Sequence, residues 1–246
     1  MTWLTFIKIL IALLFLARAC LFDLKERVVP NRIWREMLLV FIPLNAVEYF
    51  LENFNLFFAI SQFAFMFFLC YSLYYLRLYG GADAKAIIMI SLAFPVYPTL
   101  PPFPILNKGL GVFAFSTLAN SVLSAPVLII LFFLRNLLSK NLEFPYCCIG
   151  YKVNAKKIPK FHNLLEYVEN GKVKKSVRSI EPADKIIEEI KKAAEKGIVE
   201  EIWVTPGFPF LCFITAGFIL SVVLGDLVIW MLSNLGVTFK YLSMPP

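Results

Sequence analysis

Of 246 residues, 59% are hydrophobic and only 17% charged, and the mean hydropathy is +0.73. A soluble domain is nearer half apolar and a quarter charged, so this composition argues against an ordinary soluble enzyme and points to the bilayer. The formal charge of +7 does not call for nucleic acid: basic residues collect on the cytoplasmic side of membrane proteins, and no DNA- or RNA-binding motif accompanies them here.

A hydrocarbon core about 30 Å thick needs roughly 20 mostly apolar residues per helix. Six segments fit, namely 3–22, 33–51, 56–78, 84–100, 111–135 and 207–233. The first runs directly into FDLKERVVPN without a small-residue cleavage pattern, so it reads as a retained helix rather than a signal peptide. Arg35 and Glu48 weaken the second segment, and prolines crowd the end of the fourth.

Lys25, Arg27, Arg32 and Arg35 follow the first segment, and Arg77 and Lys85 flank the turn before the fourth. The opposite short loops hold Glu48, Glu52 and Lys108. This asymmetry predicts 23–35 and 77–85 inside the cell, with both termini outside.

The proline-rich segment 95–109 reads as an external loop, and the long polar block is 139–205. Within that block, Asn170-Gly171 between alternating apolar residues predicts a hairpin. Ile186, Ile187, Ile190 and Ala194 recur at helical spacing, and Gly197 is placed to end that helix. The run VEEIWV alternates as a strand does. The predicted fold class is an all-α polytopic membrane protein with six transmembrane helices and a small α+β cytoplasmic domain between the fifth and sixth. Its parts are 1–138, 139–205, and 206–246 with the last helix and a short external tail. The basic face of the middle part is expected to rest on anionic lipid headgroups.

The cysteines are Cys20, Cys70, Cys147, Cys148 and Cys212, with no CxxC pair, and the single histidine is His162. That set predicts no zinc or other metal site, no disulfide framework and no cofactor.

Inside so apolar a chain, an acidic residue is a functional candidate by default. Asp226 lies 19 residues into the last segment, roughly 28 Å along a helix, and so reads as a polar helix end near the outer face. Asp23 and Asp83 instead share one level, at the cytoplasmic ends of the first and fourth segments. Each alone has an ordinary explanation. Asp23 can pair with Arg27 one turn on, and Asp83 can cap a helix N-terminus. Together they form a chemical device, because two close carboxylates do not ionise alike. One draws a proton from water while its protonated partner donates to the peptide carbonyl. Lys25, Arg27 and Lys85 nearby favour the ionised forms. Gly80-Gly81 leaves the backbone uncovered before Asp83, allowing close approach of another chain and positive φ, or simply making a tight turn.

At these residues the chain resembles the type IV prepilin peptidases, a family of membrane aspartic proteases. FDLKERVVPN is similar to their D…R..PN signature and YGGADAK to their GxGD-K signature. VTPGFPFLCFITAGFILSVVLGD (204–226) resembles their entry to a late helix. The resemblance implies that Asp23 and Asp83 are the catalytic pair, with Gly80, Lys85, Pro30 and Asn31 at motif positions. Asn31 also reads as the N-cap of the second helix. Ala82 stands where the motif has glycine, as in archaeal preflagellin peptidases. The CxxC…CxxC domain of the methylating bacterial forms is missing. The resemblance thus implies cleavage of a short basic leader from preflagellin or pilin-like precursors at the cytoplasmic face. Two other readings are a proton-coupled transporter, with one aspartate as carrier, and a non-enzymatic assembly factor of a filament apparatus.

Overall fold

The computed structural model describes residues 2–169, 172–180, 184–207 and 209–235. In chain order its elements are α1 (Thr2–Glu26), α2 (Asn31–Glu52), α3 (Leu56–Tyr75), α4 (Gly81–Ala93), α5 (Phe113–Val122), α6 (Ser124–Leu138) and α7 (Tyr146–Ile149). Then come β1 (Tyr151–Asn154), β2 (His162–Glu169), β3 (Lys172–Ile180), α8 (Asp184–Glu195), β4 (Glu201–Pro206), α9 (Phe210–Val223) and α10 (Leu227–Asn234). They divide into two compact units, Met1–Ser124 with Pro209–Pro246, and Ala125–Phe208.

Among the described residues, three helical stretches are long and apolar enough to cross a bilayer: Trp3–Glu26, Leu56–Tyr75 and Phe113–Leu138. The fourth and sixth predicted segments differ from expectation. Helix α4 ends at Ala93 rather than near residue 100, because Pro95 forces Phe94 out of the helical region, to φ −126° and ψ 78°. The carbonyls freed by this break are met by side chains. Asn45 Nδ2 donates to Leu92 O at 2.6 Å, and Gln62 Nε2 donates to Phe94 O at 3.2 Å and Pro95 O at 2.7 Å. Non-helical backbone is tolerated at membrane depth when protein groups satisfy it in this way.

The last segment is two helices, not one. Between α9 and α10, Gly225 adopts φ +84°, and a Cβ there would lie 2.2 Å from Asn107 O. Leu106 N–H donates to Leu224 O and Asp226 N–H to Asn107 O, so a strand-like segment docks into the break. Glycine is required here by both conformation and contact.

The first unit packs around a ring cluster, with Phe94, Phe113 and Phe218 at centroid separations of 5.1–5.6 Å. Helices α5 and α9 approach closely at Gly217, where a Cβ would sit 2.6 Å from Thr117 O. Helix α2 begins differently from expectation. Pro30 holds the N-cap position with no side-chain cap, and the Asn31 side chain is committed elsewhere.

In the second unit an antiparallel sheet of order β1-β4-β2-β3 carries α8 on one face. Ile190, Ala193 and Ala194 bury that helix against Leu164, Ile202 and Val204, as its spacing predicts. Gly197 follows its end at φ +69°. Strand β4 alternates cleanly: Ile202 and Val204 face α8, while Trp203 packs with Tyr146, Cys147 and Leu165 on the other face. The expected turn at Asn170-Gly171 lies outside the described residues, and β2 and β3 pair antiparallel on either side of it, up to Glu169↔Lys172.

One expectation from the cysteines is overturned. Cys20 of α1 and Cys212 of α9 form a disulfide across 192 residues, with Cα atoms 5.3 Å apart, while Cys70, Cys147 and Cys148 are free thiols. Spacing along the chain carries no trace of such a pairing, because it depends on which helices become neighbours.

Candidate active site

Asp23 sits in the last turn of α1. The helix ends at Glu26, and Arg27 takes φ +57° with its N–H on Asp23 O at 3.2 Å. This geometry turns the chain toward α2 and keeps Arg27 close enough for its charge to act on the Asp23 carboxyl. The Leu211 backbone N–H, in the first turn of α9, also lies close enough to act on that carboxyl. Helix α9 has Pro209 at its N-cap and no side chain of its own to satisfy its first N–H groups. Asp23 therefore stands at the uncapped start of α9, where free N–H groups favour a carboxylate.

Asp83 is the third residue of α4. Its Oδ2 accepts from Gly80 N–H at 3.2 Å, closing the helix start. The ordinary role foreseen for it, capping, is thus real. Asp83 also lies within reach of Asp23, whose charge acts on it. The two carboxyls come from helix ends 60 residues apart in the chain and are near enough for the charge of one to act on the other. Both are partly buried rather than sealed.

Gly80 does not use positive φ; its φ is −70°. Its lack of a side chain matters for another reason: a Cβ there would lie 2.8 Å from Asp83 Oδ2. At Gly81 a Cβ would meet the Tyr74 ring at 3.4 Å, and Ala82 packs partly buried against the core. Lys85 Nζ donates to Asn31 Oδ1 at 2.7 Å, joining α4 to the start of α2. Pro30 accepts from Ile33 N–H, starting that helix. The two signature segments are therefore tied together by a side-chain bond.

The sequence reading missed the contribution of α9. The Phe210 ring packs edge-on against Tyr79 at 5.0 Å, and Tyr79 lies within the field of the Asp83 carboxylate. So one helical turn, Phe210–Cys212, borders Asp23 through Leu211 and Asp83 through Tyr79. The run VTPGFPFLCF had carried a signal in its prolines and phenylalanines. Nothing in that run disclosed that its backbone faces Asp23.

Asp226 lies elsewhere. It is fully buried, accepts from Ser116 Oγ at 3.0 Å and from Ile229 N–H at 2.9 Å, and caps α10. Among the described residues no group of three or more His, Cys, Asp or Glu is arranged to hold a metal.

Residues 10–134 match the model of the type IV leader peptidase family, peptidase A24, and residues 142–227 match the archaeal peptidase A24 C-terminus, type II. A preflagellin peptidase of Methanococcus voltae is 28% identical over 228 residues, covering 88% of this chain and 94% of the relative. A preflagellin peptidase of Methanocaldococcus jannaschii is 28% identical over 235 residues, covering 91% and 96%.

Proposed function

The chain belongs to the type IV leader peptidase family, and from that premise we propose that Asp23 and Asp83 activate water to remove a short basic leader from preflagellin and pilin-like precursors. The observation that carries this reading is the meeting of the two acids. Asp23's charge reaches Asp83, and both stand beside helix ends that leave them partly open. In such a pair, one ionised carboxylate takes a proton from water as its oxygen attacks the scissile carbonyl carbon. The protonated partner donates to the carbonyl oxygen. Collapse of the tetrahedral intermediate returns a proton to the leaving nitrogen, and no covalent enzyme intermediate forms. Lys85 and Asn31 hold the start of α4 against that of α2, and Gly80 keeps the space beside Asp83 clear.

In this reading α2, α4 with the extended segment after it, and α9 with α10 complete six crossings alongside the three long apolar stretches. Both termini lie outside, while the aspartates and residues 139–205 face the cytoplasm, the latter against anionic headgroups. The family match favours neither a transporter nor a non-enzymatic assembly factor.

The test is to incubate membranes carrying this protein with a preflagellin precursor and map the new N-terminus by mass. Asp23→Asn and Asp83→Asn, each nearly isosteric, should insert normally and leave the precursor intact. Normal cleavage by either variant would sink the two-aspartate mechanism.

A further inference from the structure

The Cys20–Cys212 disulfide lies beside the site rather than in a distant part of the fold. Cys20 precedes Asp23 by three residues on α1, which puts the two side chains on neighbouring faces one turn apart. Cys212 follows Leu211, whose N–H reaches the Asp23 carboxyl, and Phe210 just before it packs on Tyr79 beside Asp83. The covalent link therefore joins the end of α1 that carries Asp23 to the turn of α9 that carries Leu211 and Phe210. The entry to α9 has no capping side chain of its own, so this turn is held by the disulfide, by the Phe210–Tyr79 ring contact, and by burial of Leu211, which has no exposed surface.

We propose that the Cys20–Cys212 disulfide is a positioning clamp. It fixes the first turn of α9 against Asp23 and Tyr79, and full turnover requires it closed. Opened, α1 and α9 keep their packing, but the Leu211 N–H is free to drift from Asp23, and Phe210 from Tyr79. A shift of this kind in the groups that orient a reacting pair lowers the rate of the chemical step and leaves substrate binding little changed. The proposal rests on Asp23 acting in catalysis.

The experiment uses the purified full-length protein in detergent or nanodiscs, assayed on a preflagellin precursor well below its unfolding midpoint. Thiols are counted by alkylation in denaturant and mass. A dithiol reductant delivers two electrons and two protons, breaking the S–S bond to two thiols while closing to its own disulfide. The isolated protein should show three free thiols, and five after reduction. Reduction should lower kcat roughly tenfold with KM changed by less than about twofold.

Cys20→Ser, Cys212→Ser and the double variant should all show that same kcat, because each removes one bond. None of them should respond further to reductant, which excludes effects at Cys70, Cys147 and Cys148. A lowered unfolding midpoint with kcat unchanged would reduce the disulfide to a structural tie and overturn the proposal. So would five free thiols in a fully active preparation, or losses that add between the two single variants. Asp23→Asn in parallel separates the two claims. If it still cleaves, the catalytic reading fails; if it is inactive while reduced wild type keeps its kcat, only the clamp fails.

Discussion

Two acidic sites in the first unit, one of a single residue and one of a pair, show what burial alone does not reveal. Asp226 has no exposed surface, yet each of its carboxylate oxygens has a donor, from Ser116 and from Ile229 N–H. Around it Asn120 donates to Ser221 and to Gly225 O and accepts from Leu227 N–H, so the network closes on itself. At the other end of α9, about 18 Å along the axis, Asp23 and Asp83 are only partly buried: Gly80 N–H donates to Asp83, Arg27 acts on Asp23 by charge, and the two carboxyls repel each other. A closed network holds a fold together, because buried polar groups that are fully paired cost little and fix geometry. An open pair of like-charged groups gives the fold little and keeps capacity for a proton and a water. The contrast lies in how fully each acid is satisfied, more than in its depth.

The comparison can be broken by substitution. Asp23→Asn should abolish leader removal by about 10²–10⁴-fold, the usual weight of a general acid or base, while leaving the unfolding midpoint within error of wild type. A loss of folding in this variant would put Asp23 in the same structural class as Asp226.

Lys8→Met tests the opposite behaviour. Lys8 is 1% exposed, and its Nζ lies 2.6 Å from Glu48, itself 5% exposed. Removing it strands a buried carboxylate, which costs about 3–5 kcal/mol. Thermal or denaturant unfolding should register that loss, and cleavage per folded molecule should stay near wild type.

Gly80→Val is intermediate. The new Cβ would press on Asp83 Oδ2 from 2.8 Å, so cleavage should fall roughly tenfold through a displaced carboxylate. Retained full activity would show that the carboxylate has room to move. The smallest expected effect is Lys85→Met. Its bond to Asn31 is exposed to solvent, and loss of a contact of that kind is worth about 0.5–1.5 kcal/mol, a few-fold in rate.

Much of the candidate site was legible in the sequence because its parts are local. Asp23 and Asp83 stand at helix ends, and charge asymmetry with helix rise put them at one level. Asp226, read as the polar end of one continuous last helix, does stand at a helix end, but at the start of α10 after the break; the period of α8 and the alternation of β4 gave the second unit's core. What stayed hidden depends on residues distant in sequence. The stop of α4 is stabilised by Asn45 and Gln62, and the break before α10 by Asn107, so hydropathy averaged along the chain passes over both. Gly80 was credited with positive φ, but its φ is −70° and the constraint is the Asp83 carboxylate. The role of α9 is backbone chemistry, an N–H whose partner lies on another helix, and no side-chain motif records it.

The most direct test puts Asp83→Asn and Asp226→Asn side by side, each scored for precursor cleavage per folded molecule and for unfolding midpoint. The account expects opposite outcomes: Asp83→Asn inactive with its midpoint kept or raised, and Asp226→Asn active with its midpoint lowered. A cleaving Asp83→Asn, or an Asp226→Asn that folds as wild type and fails to cleave, would contradict it.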